Sequence, residues 1–186
     1  KILSKQGKVY SFEVEPTNYK TLCDNVILNK IDNIIPFNIG IASNNSISKF
    51  FYNTKHLNNK FNLPMSAMGM HSLKFDEKVH KKEICCYVPL LNLDHMIKTF
   101  NLEKPTHLFI DAYGAELEII KSIKSTPAAS EIQKMIIDIE ENVDDVEMTK
   151  VFEIMKDMNF KLIFSEKEIG ENYVPNSFKT IFEKKI

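Results

Sequence analysis

Five carboxylates stand at the ends of apolar runs or in the turn just beyond one: Glu13, Asp111, Glu116, Asp138 and Glu140. A carboxylate in such a place can accept hydrogen bonds from a hydroxyl-bearing ligand or take a proton from it. Glu13 follows Val9-Tyr10-Ser11-Phe12, whose β-branched and aromatic residues suit a strand. After Pro16 come Tyr19, Leu22, Cys23 and Val26, the i, i+3, i+4, i+7 spacing of one helical face. The order is strand, acid, helix. In an open parallel sheet ligands bind beyond the carboxyl ends of the strands, and an acid at the tip of the second strand can accept hydrogen bonds from a ribose diol. The competing reading makes Glu13 a solvated loop carboxylate. Glu15 reads as solvated, or as a negative charge favoured at a helix N-terminus.

A second informative stretch is Leu108-Phe109-Ile110-Asp111-Ala112-Tyr113-Gly114-Ala115-Glu116. An apolar strand ends at Asp111, a glycine turn follows, and Leu117, Ile120, Ile123 and Lys124 continue as a helix that Pro127 stops. Asp111 would emerge at the ligand edge of a central strand, or cap the helix starting near Gly114.

The elements that must position these acids alternate. Ile34 to Ile41 predicts a strand, at an edge because Pro36 lacks an amide donor. Asn44-Asn45-Ser46 is a turn before a short strand from Ile47 to Tyr52. Asn53 to Lys82 has no sustained period and predicts a long loop or lid. Leu63, Met65, Met68, Met70 and Leu73 within it could line an apolar acceptor pocket or pack the loop down, and His71 or His80 could serve as a base or be solvated. Glu83 to Leu91 predicts a strand, and Leu93, Met96, Ile97 and Phe100 one face of a short helix. Met135 to Glu140 is a further strand, with Val151, Phe152, Met155 and Met158 marking the next helix. Phe160 to Phe164 and Phe178 to Phe182 are strands joined without a helix, hence antiparallel. This pattern predicts one α/β domain over residues 1–186: a doubly wound, mostly parallel sheet with an antiparallel C-terminal strand.

A chain of 186 residues carries one such domain. Its formal charge of -1, with all 24 basic residues lysine, gives no footprint for a nucleic-acid backbone. No run is long and apolar enough for a membrane span, and Lys1 to Lys5 lacks a signal peptide's apolar centre, so the cytoplasm and no membrane partner are the expectation. Cys23, Cys85 and Cys86 are odd in number and read as reduced, mostly buried thiols. The scattered histidines and these cysteines match no zinc spacing, so no metal is expected.

Together, Val9 to Glu13 with Pro16, Asn18, Leu22 and Asn25, then Leu93-Asp94 with Met96-Ile97, then Ile110-Asp111 with Gly114-Ala115-Glu116, resemble the FkbM-type methyltransferases. The resemblance implies a Rossmann-like methyltransferase sheet, S-adenosyl-L-methionine as cofactor, and O-methylation of a sugar or other small hydroxyl compound. It implies that Glu13 binds the cofactor ribose, that Asn38 and Gly40 meet the adenine, and that Asp111 contacts cofactor or acts as base. Glu116, Asp138 and Glu140 are further base candidates. Two positions depart from the pattern: Phe109 and Tyr113 stand where the family usually has lysine and glutamate. The family's first strand and Gly-rich loop have no counterpart among Gly7, Gly40, Gly69, Gly114 and Gly170, and Lys1 to Gly7 reads as a helix tail, so the expectation is a sequence lacking that N-terminal part. The alternative expectation is a non-catalytic, degenerate Rossmann-like module that no longer binds the whole cofactor. A nicotinamide-dependent dehydrogenase would also place an acid after its second strand, but it needs its own glycine fingerprint.

Overall fold

The computed structural model describes residues 7–53, 80–112, 114–140, 145–168 and 177–185, with the side chains of 53, 80–84, 140, 145–147 and 168 outside the description. Its contacts cluster into two compact units, one built from residues 1–40 and 46–90, the other from 41–45 and 91–186.

In the first unit, β1 (Val9–Phe12) pairs in parallel with β2 (Ile34–Phe37), Val9 opposite Ile34 and Phe12 opposite Phe37. The Phe12 and Phe37 rings stack at 5.4 Å, which fixes the register at the carboxyl end of the pair. Between them runs α1 (Pro16–Leu28), entered through Pro16 in its first turn, where the missing N–H costs nothing. Its predicted face, Tyr19, Leu22, Cys23 and Val26, is half-buried, and no residue of the helix is fully buried. Ile34 to Ile41 is not one strand: the ladder of β2 ends at Phe37, and β3 (Gly40–Ile41) joins a different sheet. Asn38 makes the break, its side-chain amide donating to the main-chain carbonyls of Glu13 at 2.8 Å and Val14 at 3.3 Å. Pro36 does sit on an edge, since among the described residues β1 is the sole partner of β2 in the sheet.

The second sheet has the order β3-β5-β4, with β4 (Ser46–Asn53) antiparallel to β5 (His80–Leu91). β5 starts at His80, so residues 80–82 belong to a strand rather than to the predicted loop; the rest of that loop, with Leu63, Met65, Met68, Met70, His71 and Leu73, lies outside the described residues. The predicted helix tail of residues 1–6 also lies outside them. Phe50, Val88 and Leu90 are buried, while Cys85 and Cys86 are free and half-buried, as is Cys23.

The second unit holds the larger core. Its sheet has the order β6-β7-β9-β8: β6 (His107–Asp111) and β7 (Lys134–Glu140) are parallel, and β9 (Ser177–Lys184) is antiparallel to both β7 and β8 (Phe160–Glu168). The antiparallel pairing of the last two strands is as the sequence predicts. α2 (Leu93–Thr99), α3 (Glu116–Lys124) and α4 (Asp145–Asp157) complete the unit, with α3 packed against both α2 and α4. Leu117, Ile120 and Ile123 of α3 and Val151 and Met155 of α4 are buried with Ile110, Met135, Ile137, Ile139, Phe160 and Phe182 of the strands. Pro127 does not end α3 itself; it opens a separate 3-10 turn (Pro127–Glu131), whose preceding Thr126 hydroxyl accepts from the Ala128 amide.

Among the described residues no helix is long and apolar enough to cross a membrane. The sheet of the second unit carries the core load, so Ile137→Ala, at a site with no exposure, should cost about 2–5 kcal/mol. Ile163→Ala, at a side chain 46% exposed on the outer strand, should cost within about 0.5 kcal/mol. Urea unfolding of the two variants checks the contrast.

Candidate functional site

Each unit carries one of the two carboxylate sites. In the first unit Glu13 lies immediately beyond the carboxyl end of β1, its backbone N–H donating to the Phe37 carbonyl at 3.0 Å. Its Oε1 accepts from the Glu15 N–H at 2.8 Å. Burial pushes the Glu13 carboxyl above the usual carboxylate range; the Glu15 amide opposes that shift and the Glu15 carboxylate adds to it. A half-buried carboxylate in this state gains from any further donor that reaches it. A ribose diol offers two hydroxyl donors, so the chemistry of this tip fits the nucleoside part of S-adenosylmethionine.

Glu15 is not solvated. It is 2% exposed and is the N-cap of α1, its Oε2 accepting from the Asn18 N–H at 2.6 Å. Asn38 and Gly40 lie in the same unit. Asn38 acts on Glu13 through the backbone, as described above. Gly40 is buried, and a Cβ there would come within 2.5 Å of Leu90 Cδ2 and 2.7 Å of Val14 Cγ1. Close packing of the β1 tip against β5 thus accounts for a glycine at this position.

In the second unit Asp111 is the last residue of β6, exposed, and opposite Asp138 of β7 in the parallel register. Asp138 has one carboxylate oxygen, Oδ1, that is buried without a hydrogen-bond partner among the described residues. Glu140 ends β7, and its side chain is outside the description. Asp111 does not cap α3: that helix has Ala115 at its N-cap and no side-chain capping bond there. The turn is closed by Glu116 instead. This residue is 2% exposed, and its Oε1 accepts from the Gly114 N–H at 3.1 Å. Gly114 has φ 83°, a left-handed conformation that glycine adopts without steric cost. Burial raises the Glu116 carboxyl above its ordinary range, the amides of Glu116, Gly114 and Ala112 pull it back, and the Asp111 charge raises it further.

The amide-lined setting of Glu116 and the buried cap at Glu15 are the features the residue pattern did not announce. Glutamate is uncommon at an N-cap, where Ser, Thr, Asp and Asn lead, so the reading of Glu15 as a charge at the helix N-terminus holds while its capping bond and burial went unsignalled. For Glu116 the signal was available in Gly114, two residues earlier. Among the described residues no group of three or more His, Cys, Asp and Glu side chains could hold a metal ion.

The methyltransferase FkbM domain model matches residues 2–162, nearly all of the first unit and the second as far as Leu162. The chain belongs to the FkbM methyltransferase family. A hexuronic acid methyltransferase, AglP, from Haloferax volcanii is 24% identical over 150 residues, 81% of this chain and 54% of the relative. The crystal structure of methyltransferase FkbM from Methylobacillus flagellatus KT superimposes with a TM-score of 0.55 at 12% identity, covering 93% of this chain and 36% of that one. The fold is therefore the Rossmann-like methyltransferase fold, and the chain spans about half the length of the curated relative it matches.

The raised carboxyl of Glu116 has a definite sign in stability. Between the unfolded value near 4.5 and the raised folded value, the folded state holds more protons than the unfolded state, so stability falls as pH rises through that window. Glu116→Gln removes the titration and keeps an oxygen for Gly114. Urea unfolding at a series of pH values from 4 to 8 should show a shallower decline for the variant than for the parent; equal slopes would mean that Glu116 is not the titrating group.

Proposed function

We propose that this chain is the S-adenosylmethionine-dependent methyl-transfer domain of an enzyme that O-methylates a sugar or another small hydroxyl compound. The observation that carries the cofactor reading is Glu13, a half-buried carboxylate raised by burial and placed at the carboxyl end of a parallel strand in a chain of the FkbM family. The sugar reading draws on the hexuronic acid methyltransferase relative.

Bound S-adenosylmethionine supplies an electrophilic methyl group on its sulfonium. The remaining tasks fall to the protein: holding the donor, aligning a nucleophile in line, and accepting the proton that a hydroxyl acceptor sheds. Glu13 accepts hydrogen bonds from the ribose, with Asn38 fixing its backbone from behind. Asp111, exposed at the end of β6, is the group assigned to the acceptor proton or to the cofactor. Glu116 has a different task within this scheme, because its carboxylate is engaged with the amides that shape the turn after Asp111.

A second reading, a module that binds without transferring, is favoured by Phe109. This side chain is 64% exposed on the same strand as Asp111, at the position where the family resemblance would place a lysine. It presents an apolar surface in place of a cation near the expected acceptor side.

Calorimetric titration of the full-length protein separates these readings. S-adenosylhomocysteine should bind and, at a hundred times its dissociation constant, stabilise the fold by about 2.7 kcal/mol. Glu13→Ala should weaken that binding at least tenfold, because a charge-assisted contact contributes about 1.5–3 kcal/mol. Unchanged affinity in that variant removes the ribose assignment. Mass analysis of products from a panel of hydroxyl acceptors, hexuronic acids included, then decides between transfer and binding alone.

A further inference from the structure

Among the described residues β9 is the sole ladder partner of β8, which makes β8 the outermost strand of the second unit's sheet. An outer edge presents a row of backbone N–H and C=O groups that another strand can pair, and charges or a bulge commonly blunt it. β8 has both, yet its middle is apolar: Leu162, Ile163 and Phe164 are 44%, 46% and 42% exposed, with the exposed Lys161 before them and the exposed Ser165 and Glu166 after. The bulge decides which partner fits this edge. Along β9, Glu183, Ile181 and Lys179 fall on one face, and Phe182 and Thr180 on the other. Lys161 stands opposite Glu183, Phe164 opposite Ile181 and Glu166 opposite Lys179, so these three share a face, while Leu162 and Ser165 share the other. In a regular strand two residues five apart point to opposite faces. The extra residue at the register shift, Ile163, is what brings Lys161 and Glu166 to the same one.

We propose that the β8 edge pairs antiparallel with β8 of a second copy of this chain, about a two-fold axis that passes between Ile163 and Phe164 and joins the two sheets into one. A two-fold contact is self-complementary, so one strand must supply both halves of every pair. In this register Lys161 lies opposite Glu166 of the second copy and Glu166 opposite that copy's Lys161, while Leu162 meets Ser165 and Ile163 meets Phe164, each twice. Residues directly opposite in an antiparallel pair point to the same face, which the positions of Lys161 and Glu166 satisfy. Charge selects this register over its neighbours: an axis through Phe164 would set Lys161 against Lys167 of the second copy, and one through Glu166 would set two glutamates against each other. Lys161 Nζ is already 3.8 Å from Glu183 Oε2, but both side chains are exposed, and an ammonium has three donors, so a second carboxylate can share it.

The test is sedimentation velocity of the full-length protein over about 1–100 μM, the range in which a contact of one strand's length associates. The parent should show a concentration-dependent equilibrium between monomer and dimer. Glu166→Lys and Lys161→Glu each turn two attractive cross-strand pairs into two repulsive ones, and each should raise the dissociation constant on the order of tenfold. The double variant Lys161→Glu/Glu166→Lys should restore the parent's affinity. An equimolar mixture of the two single variants should form a mixed dimer, because each then supplies the charge that the other lacks. Both positions are exposed, so the variants should fold, which their circular dichroism checks. A parent that stays monomeric throughout the range would show that the bulge and charges keep the edge single, and would overturn the proposal. A dimer unaffected by the single substitutions would place the contact elsewhere and overturn it too, as would single variants that fail to associate on mixing.

Discussion

Backbone amides hold two carboxylates at turns that follow parallel strands, and both turns depend on those bonds. Glu13 takes the amide of Glu15 beyond β1, and Glu116 takes the amide of Gly114 beyond β6. Each acid is raised above its ordinary range because burial costs more than the amides return. The consequence differs between the two. At Glu116 the carboxylate is buried and takes the Gly114 amide, which shapes the turn. At Glu13 the exposure is greater, the helix that follows is capped by a different residue, and the carboxylate is left at the strand tip where a hydroxyl donor can meet it.

The alternation of strand and helix was legible because apolar spacing reports burial directly. Leu117, Ile120 and Ile123 read as one face of a helix, and all three are buried. The breaks were harder to see. Ile34 to Ile41 reads as one apolar run, but the side-chain amide of Asn38 ties the chain back to Glu13 and Val14, and a bond across 25 residues leaves no local trace. β8 runs on to Glu168, well past the apolar residues that marked it, because an outer strand keeps its ladder through Ser165, Glu166 and Lys167 with their side chains in water. The three consecutive apolar residues Leu162, Ile163 and Phe164, which defy strand alternation, fall at a register shift between Leu162 and Phe164.

Of the candidate site residues, those at strand tips were readable from residue type and position, as Glu13 and Asp111 illustrate. The burial of Glu15 was not. A glutamate beside a proline at a helix start reads as a solvated charge or as one favoured at the helix N-terminus, and neither reading announces a side chain only 2% exposed. Gly40 shows the same limit from the other side. A glycine at a strand end suggests room for a ligand, yet the space a Cβ would fill is already taken by Val14 and Leu90.

Register also explains how the sheet of the second unit divides its two faces. Ile110, Ile137 and Phe182 point to the helices and are buried, whereas the alternate row runs Phe109, Ile136, Ile181 and Phe164 across β6, β7, β9 and β8. Phe109 and Phe164, at the two ends of that row, are 64% and 42% exposed. On one side the row is bordered by His107, Lys134, Glu183 and Lys161, and on the other by Asp111, Asp138, Lys179 and Glu166. Asp111 therefore sits where an apolar stripe gives way to a polar margin at the carboxyl end of a parallel pair. Asp111, exposed at this margin, and the buried Glu116 that takes the Gly114 amide, five residues apart, thus occupy opposite settings on either side of one turn.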